Sequence, residues 1–287
     1  MNNEMARISI LIPSLYEQNR IANYLDKKCA KIDEIIKDNN HEIKLLEEYK
    51  KSLISEICLN GIKNNIKKQI KSNWIKEIPI DWRYTNIKSE FNFRKGLSIT
   101  KADLVKSGIK VISYGQIHSK INNGTEINDN LFRFVPNDYL KNNKNSLVEF
   151  GDYIFADTSE DIEGCGNNIY VDRLDDEIFA GYHTIIAHKI SKNKSKYFGY
   201  LFKTNEWRSQ IRKSVYGVKL FSITQKILKN SSIIIPPINE QREISNYLDK
   251  KCSKLDEVIK YRKQIIEKLE EYKSSLIYEV VTGKKEV

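Results

Sequence analysis

At 287 residues the chain can supply one or two domains with a sizeable core, and 40% apolar with 10% aromatic content excludes disorder throughout. No apolar run approaches the ~18 residues that span a bilayer, the opening residues do not read as a secretory leader, and Cys29, Cys58, Cys165 and Cys252 form no CxxC pair, so neither a membrane nor a metal is an expected partner and a reducing, cytoplasmic compartment is. The net charge of +10 is local: residues 189–229 hold 11 Lys/Arg and one acid, Glu206, which points to a polyanion or to a solvated lysine-rich face.

In chain order, the first long element is a helix over 14–61. It starts after Pro13, carries capping-box spacing at Ser14–Glu17, and stops near Asn60-Gly61. Its apolar residues, Ile21, Leu25, Cys29, Ile32, Ile36, Ile43, Leu46, Leu53 and Ile57, step by threes, fours and sevens, the spacing of a coiled-coil seam. The whole stretch recurs. Residues 12–57 and 235–280 match at 27 of 46 positions at a fixed offset of 223, without a gap. The second copy starts after Pro236-Pro237, ends near Gly283, and repeats the seam through Ile244, Leu248, Cys252, Leu255, Ile259, Ile266, Leu269, Leu276 and Val280. Asn39 and Arg262 interrupt the two seams at equivalent places, as polar residues that set register do. Such helices, with a domain inserted between them, are expected to run antiparallel as a stalk.

After a basic linker over 62–72, residues 73–235 change character. Short β-favouring runs at 109–118, 121–127, 146–157, 167–172 and 181–190 alternate with turn signals. A helix is expected over about 196–214 and a final strand at 231–236. Asp157, Glu160, Asp161 and Glu163 cluster as in a metal-dependent nuclease, but no HExxH, P-loop or GxSxG motif accompanies them, so a polar turn is the stronger reading. His41, His118, His183 and His188 share no ligand spacing. The basic segment is interleaved with Tyr197, Tyr200, Trp207, Arg208, Gln210, Arg212, Tyr216, Lys219 and Phe221. These are side chains suited to phosphates and base edges.

Several stretches, in this order, resemble the specificity (S, HsdS) subunits of type I restriction–modification systems: IPIDWRYTNIKSEFNFRKGLSI (78–99), VISYGQIH (111–118), EFGDYIFADTSE (149–160), YFGYLFKTNEWRSQIRKSVYGVKLFSIT (197–224) and IIIPPINEQREISNYLD (233–249). The resemblance implies an α+β fold, one mixed α/β target-recognition domain flanked by two long helices forming an antiparallel coiled-coil stalk. It implies a non-catalytic subunit that reads one half of a bipartite site on double-stranded DNA. Methyltransferase (M) subunits and a restriction/translocase (R) subunit would dock on it. S-adenosylmethionine, ATP and Mg belong to those partners, with no cofactor in this chain.

The pattern departs from the family in having two helices but one domain. ISILIP (8–13) pairs with SIIIPP (232–237) when the repeat is extended backwards, so residues 1–13 are expected to be the remnant strand of a missing first recognition domain. The expected order is then helix 1 over 14–61, linker 62–72, recognition domain 73–235, helix 2 over 236–283 and tail 284–287. A truncated, split or recombining gene is the corresponding expectation, with a second half-subunit or a second copy of the chain as a further partner. Two other readings compete: a coiled-coil decoy or scaffold for methyltransferase subunits that reads no sequence, and a small nuclease using the 157–163 acids. The expected DNA contacts are Arg94, Lys95, Tyr114, Gln116, His118, Lys120, Thr158, Ser159, Tyr182, His183, Arg212, Lys213, Tyr216, Lys219, Phe221 and Ser222. No catalytic or metal-ligating residue is expected.

Overall fold

A computed structural model describes residues 12–63, 66–217 and 219–287. The strand expected at 8–13 lies outside them, except for Ile12 and Pro13. In chain order the elements are α1 (Leu15–Asn60), β1 (Lys67–Gln69), β2 (Glu77–Pro79), β3 (Arg83–Asn86), β4 (Phe91–Lys95), β5 (Ile109–Ile112) and α2 (Tyr114–Ile117). Then come β6 (Arg133–Val135), α3 (Tyr139–Asn142), β7 (Tyr153–Ala156), β8 (Thr158–Ser159), β9 (Asn168–Tyr170), β10 (Ile178–Ala180) and β11 (Thr184–Lys189). The chain closes with α4 (Tyr197–Leu201), α5 (Asn205–Arg212), β12 (Phe221–Ser222), α6 (Gln225–Asn230), β13 (Ser232–Ile235) and α7 (Ile238–Val281). Contacts divide the described residues into two compact units, 12–50 with 251–287, and 51–250.

In the first unit α1 and α7 pair antiparallel. Lys273 meets Asp33 and Lys50 meets Asp256, each at 2.6 Å, so partners descend along α7 as they ascend along α1. Ile32, Leu276 and Val280 are buried between the helices, flanked by Ile21, Leu25, Ile36 and Leu269. The two seam interruptions meet each other: the Arg262 guanidinium donates to buried Asn39 Oδ1 at 3.0 Å and also reaches Glu42. Positions 39 and 262 are the same position of the repeat. Equivalent positions touch only where a two-fold axis relates the copies. Asp33–Lys273 and Lys50–Asp256 are likewise one ion pair made twice, because 256 and 273 are the repeat equivalents of 33 and 50. The duplication is therefore an internal two-fold.

The second unit is built on a four-stranded sheet in the order β4-β11-β7-β9, with every neighbouring pair antiparallel. β11 is central and almost wholly buried, so Ile185, Ile186 and Ala187 follow one another without the apolar–polar alternation of a half-exposed strand. A second sheet, β10-β5-β6, joins β10 to β5 in parallel. Between the sheets lies a core that includes Ile112, Ile117, Ile154, Ala156, Ile169, Ala180 and Ile186. α4, α5 and the turn between them cover the large sheet with Phe198, Phe202 and Trp207, which pack on Phe91, Tyr153 and Phe155 at ring separations of 5.2–6.2 Å.

Several local expectations differ from this structure. The helix expected over 196–214 breaks in two, because Thr204 leaves helical geometry and its hydroxyl caps the Trp207 N–H at 3.3 Å. Residues 121–127 form no strand; the Asn122 and Asn123 side chains accept from Gly124 N and Thr125 N and curl the chain into turns. In the stretch read as a linker, β1 pairs antiparallel with β2. Within the second unit the helix segments bond directly to the domain. Tyr197 donates to Cys58 O at 3.0 Å, Trp82 Nε1 to Glu240 at 2.9 Å, and Tyr200 to Asp249 at 2.6 Å.

Candidate nucleic-acid interface

Four segments distant in sequence meet at one edge of the second unit. β12 pairs with β8, setting Phe221 beside Ser159 and Ser222 beside Thr158. Asp157 N donates to His183 O at 3.0 Å, and Ile223 N donates to Asp157 O at 2.7 Å. His118 bridges from α2, with Nε2 2.8 Å from Thr158 O and Nδ1 3.1 Å from the Asn167 amide. The Tyr114 ring lies edge-on to His118, Tyr182 and His183 at 6.3, 5.6 and 5.5 Å. Beside this cluster opens a cleft of about 590 Å³ lined by Lys95, Ser98, Asp157, Tyr182, His183, Ser222, Thr224, Gln225 and Lys226.

His183 is held in a conformation that side chains disfavour. Among the described residues it is the non-glycine residue with positive φ, at 55°. Left-handed backbone costs about 1–3 kcal/mol outside glycine. The surroundings over-determine it: Tyr182 O accepts from Tyr114 N at 3.3 Å, His183 O accepts from Asp157 N, and Thr184 is locked into β11 opposite Ala156. Gly96 leaves the room this turn needs, since a Cβ there would fall 2.0 Å from Thr184 Oγ1. The imidazole is exposed, and Asp157 Oδ1 accepts from its Nδ1 at 3.1 Å and from Thr158 Oγ1 at 2.7 Å.

Of the expected contacts, Tyr114, His118, Thr158, Ser159, Tyr182, His183, Phe221 and Ser222 come together here, with Lys95 in the cleft. Thr158 and Ser159 are buried and shape the turn; Ser159 Oγ donates to Asp161 O at 2.7 Å. Gln116 is half committed, its Oε1 accepting from Ser113 N at 3.1 Å as the cap of α2. Lys120, Lys213, Tyr216 and Lys219 are exposed on adjoining segments. Arg94 and Arg212 are engaged inside the fold. Arg94 meets Asp152 at 3.4 Å; burial raises the pKa of that carboxyl, which His188 also meets at 2.7 Å. Arg212 holds Glu163 at 2.7 Å.

The aromatics read as part of a polyanion footprint are mostly core: Tyr197, Tyr200 and Trp207 are buried, because the apolar side of α4 and α5 covers the sheet. Gln210 bonds the backbone of Ser232, and Arg208 the carbonyl of Phe202. Sequence reasoning overlooked Ser98, Gln225 and Lys226 in the cleft. Lys226 lies inside the basic stretch 189–229, which was the available signal. Asp161 accepts from Gly164 N as a turn residue, and among the described residues no group of three or more His, Cys, Asp or Glu is placed to hold a metal ion. No described helix is long and apolar enough to cross a membrane.

Comparison with known proteins bears on this arrangement. The chain is 25% identical over 280 residues to the type I restriction enzyme MjaVIII specificity subunit of Methanocaldococcus jannaschii, covering 96% of this chain and 62% of that protein. It is 24% identical over 286 residues to the putative type I restriction enzyme MjaX specificity subunit of the same organism, covering 98% and 60%. The chain thus spans about three-fifths of the length of these relatives. In fold it resembles a chain from a type I R-M system solved for its complex assembly and conformational transition, with a TM-score of 0.69 at 14% identity over 95% of this chain and 60% of that one. It also resembles the HsdS subunit from Thermoanaerobacter tengcongensis, with a TM-score of 0.53 at 14% identity over 96% and 61%. The family model for the type I restriction modification DNA specificity domain matches residues 79–271, from β2 well into α7, and the chain belongs to that family.

Proposed function

We propose that this chain is a non-catalytic specificity subunit that reads one half of a bipartite DNA site for a type I restriction–modification complex. The carrying observation is the convergence of the Tyr114–His118, Asp157–Ser159, Tyr182–His183 and Phe221–Ser222 segments on one edge, with Lys95 and Lys226 in the adjoining cleft. Such a patch combines cations for phosphates with hydroxyls, an amide and the His183 imidazole for base edges, while His118, bonded through both ring nitrogens, braces the turn. Arg94 and Arg212 support the fold in this reading, while Lys120, Lys213, Tyr216 and Lys219 extend the phosphate-contacting rim.

The internal two-fold supports docking of two copies of one partner, which we assign to methyltransferase subunits. Ile35 and Val258 are equivalent positions with 47% and 43% exposure, and Tyr49 and Tyr272 are equivalent with 58% and 53%. Each helix so presents two matching exposed apolar side chains away from its seam. S-adenosylmethionine, ATP and Mg are carried by the methyltransferase and restriction subunits, in the cytoplasm. Mapping methylated adenines in the host genome with and without this gene tests the reading. One motif should lose methylation when the gene is removed; an unchanged map would overturn it. Gln116→Ala should relax a single base position of that motif.

A further inference from the structure

We infer that His183 is a specificity-determining residue that presents Nε2 as a hydrogen-bond acceptor, selecting a base that offers an exocyclic amine in the major groove, adenine N6 or cytosine N4. The inference rests on the proposed DNA-reading function and deepens it. Three features of the geometry carry it.

First, the proton is assigned by the partner. A carboxylate only accepts, so the 3.1 Å contact to Asp157 Oδ1 places the proton of a neutral His183 on Nδ1 and leaves Nε2 with a bare lone pair. Thr158 Oγ1 donates to the same carboxylate oxygen and fixes it in place. Second, the ring is oriented before any ligand arrives. Tyr114 and Tyr182 flank it edge-on at 5.5 and 6.1 Å, and the turn beneath is pinned on both sides. Third, the imidazole side chain is 58% exposed, and Nε2 has no hydrogen-bond partner among the described residues. A side chain held in left-handed backbone, oriented by a carboxylate and open to solvent has the form of a preset contact rather than of a packing residue. Adenine and cytosine present amines in the major groove, whereas guanine O6 and N7 only accept, so a fixed acceptor discriminates between them. Asp157 is a positioning residue here: it acts through His183.

The test is selection from a random duplex library by the full chain assembled with its methyltransferase subunits, comparing wild type with three variants. Wild type should show a position restricted to adenine or cytosine. His183→Ala should lose preference at that position by about ten-fold, with the other positions retained. Asp157→Ala frees the tautomer and should let guanine in at the same position, whereas Asp157→Asn keeps an acceptor at Oδ1 and should restore the restriction. An equal loss of binding to all sequences by His183→Ala would make it a phosphate contact and overturn the inference, as would a selected motif that is unchanged. A wild-type complex that selects no motif would overturn the DNA-reading function itself. Matching thermal melting curves for all four proteins separate these outcomes from misfolding.

Discussion

Glu90, just before β4, meets Lys189 at the end of β11, and the lysine side chain is only 6% exposed. Its ammonium also lies 5.2 Å from the Phe91 ring centroid and 5.1 Å from that of Phe198. Burial opposes the charged form of Glu90, but the hydrogen bonds from Lys189 and Arg83 outweigh it and hold the carboxyl below its usual range. A carboxyl that titrates lower when folded than when unfolded stabilises the fold above its unfolded pKa, near 4.3. That contribution is lost as pH falls through the folded value. Lys189→Ala leaves a mostly buried carboxylate without its main partner and should cost about 3–5 kcal/mol in urea unfolding at pH 7. The deficit should shrink toward pH 4 as Glu90 takes a proton, and pairing Lys189→Met with Glu90→Leu should recover most of it. Neither residue was singled out in the sequence. A lysine inside TIIAHK is an interruption of an apolar run until its acid is found 99 positions away in the chain.

The long helices were legible as elements because a 3-4 seam must repeat locally, whatever the rest of the chain does. Their polar interruptions were legible as a matched pair. That Asn39 and Arg262 bond each other follows only from antiparallel pairing about the two-fold. Asn39→Ala removes the acceptor and should lower helix-pair stability by about 1–3 kcal/mol, whereas Asn39→Leu with Arg262→Leu should raise the melting temperature of the helical circular-dichroism signal. The equivalent pairs Asp33–Lys273 and Lys50–Asp256 are half exposed. Asp33→Ala and Asp256→Ala should therefore cost the same small amount, under about 1 kcal/mol each. The short elements were less legible. The break at Thr204 and the turns at 122–125 come from side-chain oxygens competing for backbone N–H groups, which periodicity does not register.

At the scale of the molecule, the basic stretch 189–229 divides by environment. Lys189 is buried against Glu90 and Arg212 is bound to Glu163, whereas Lys213, Lys219 and Lys226 remain exposed. Only the last kind can release counterions from DNA. Lys219→Ala should weaken binding to every sequence alike and reduce the slope of log affinity against log salt by about 0.9, measured by fluorescence anisotropy between 50 and 200 mM salt. An unchanged slope would remove Lys219 from the interface. By itself the sequence determined the duplicated helices, their seam and the basic bias of the inserted domain, since repeats and periodicity are properties of the chain in order. Which loops share an edge, which cations stay free, and which of Tyr197, Tyr200 and Trp207 are core were decided by the tertiary structure alone. Those outcomes depend on strand pairing between residues far apart in sequence, such as Ser159 with Phe221, and no local pattern encodes that pairing.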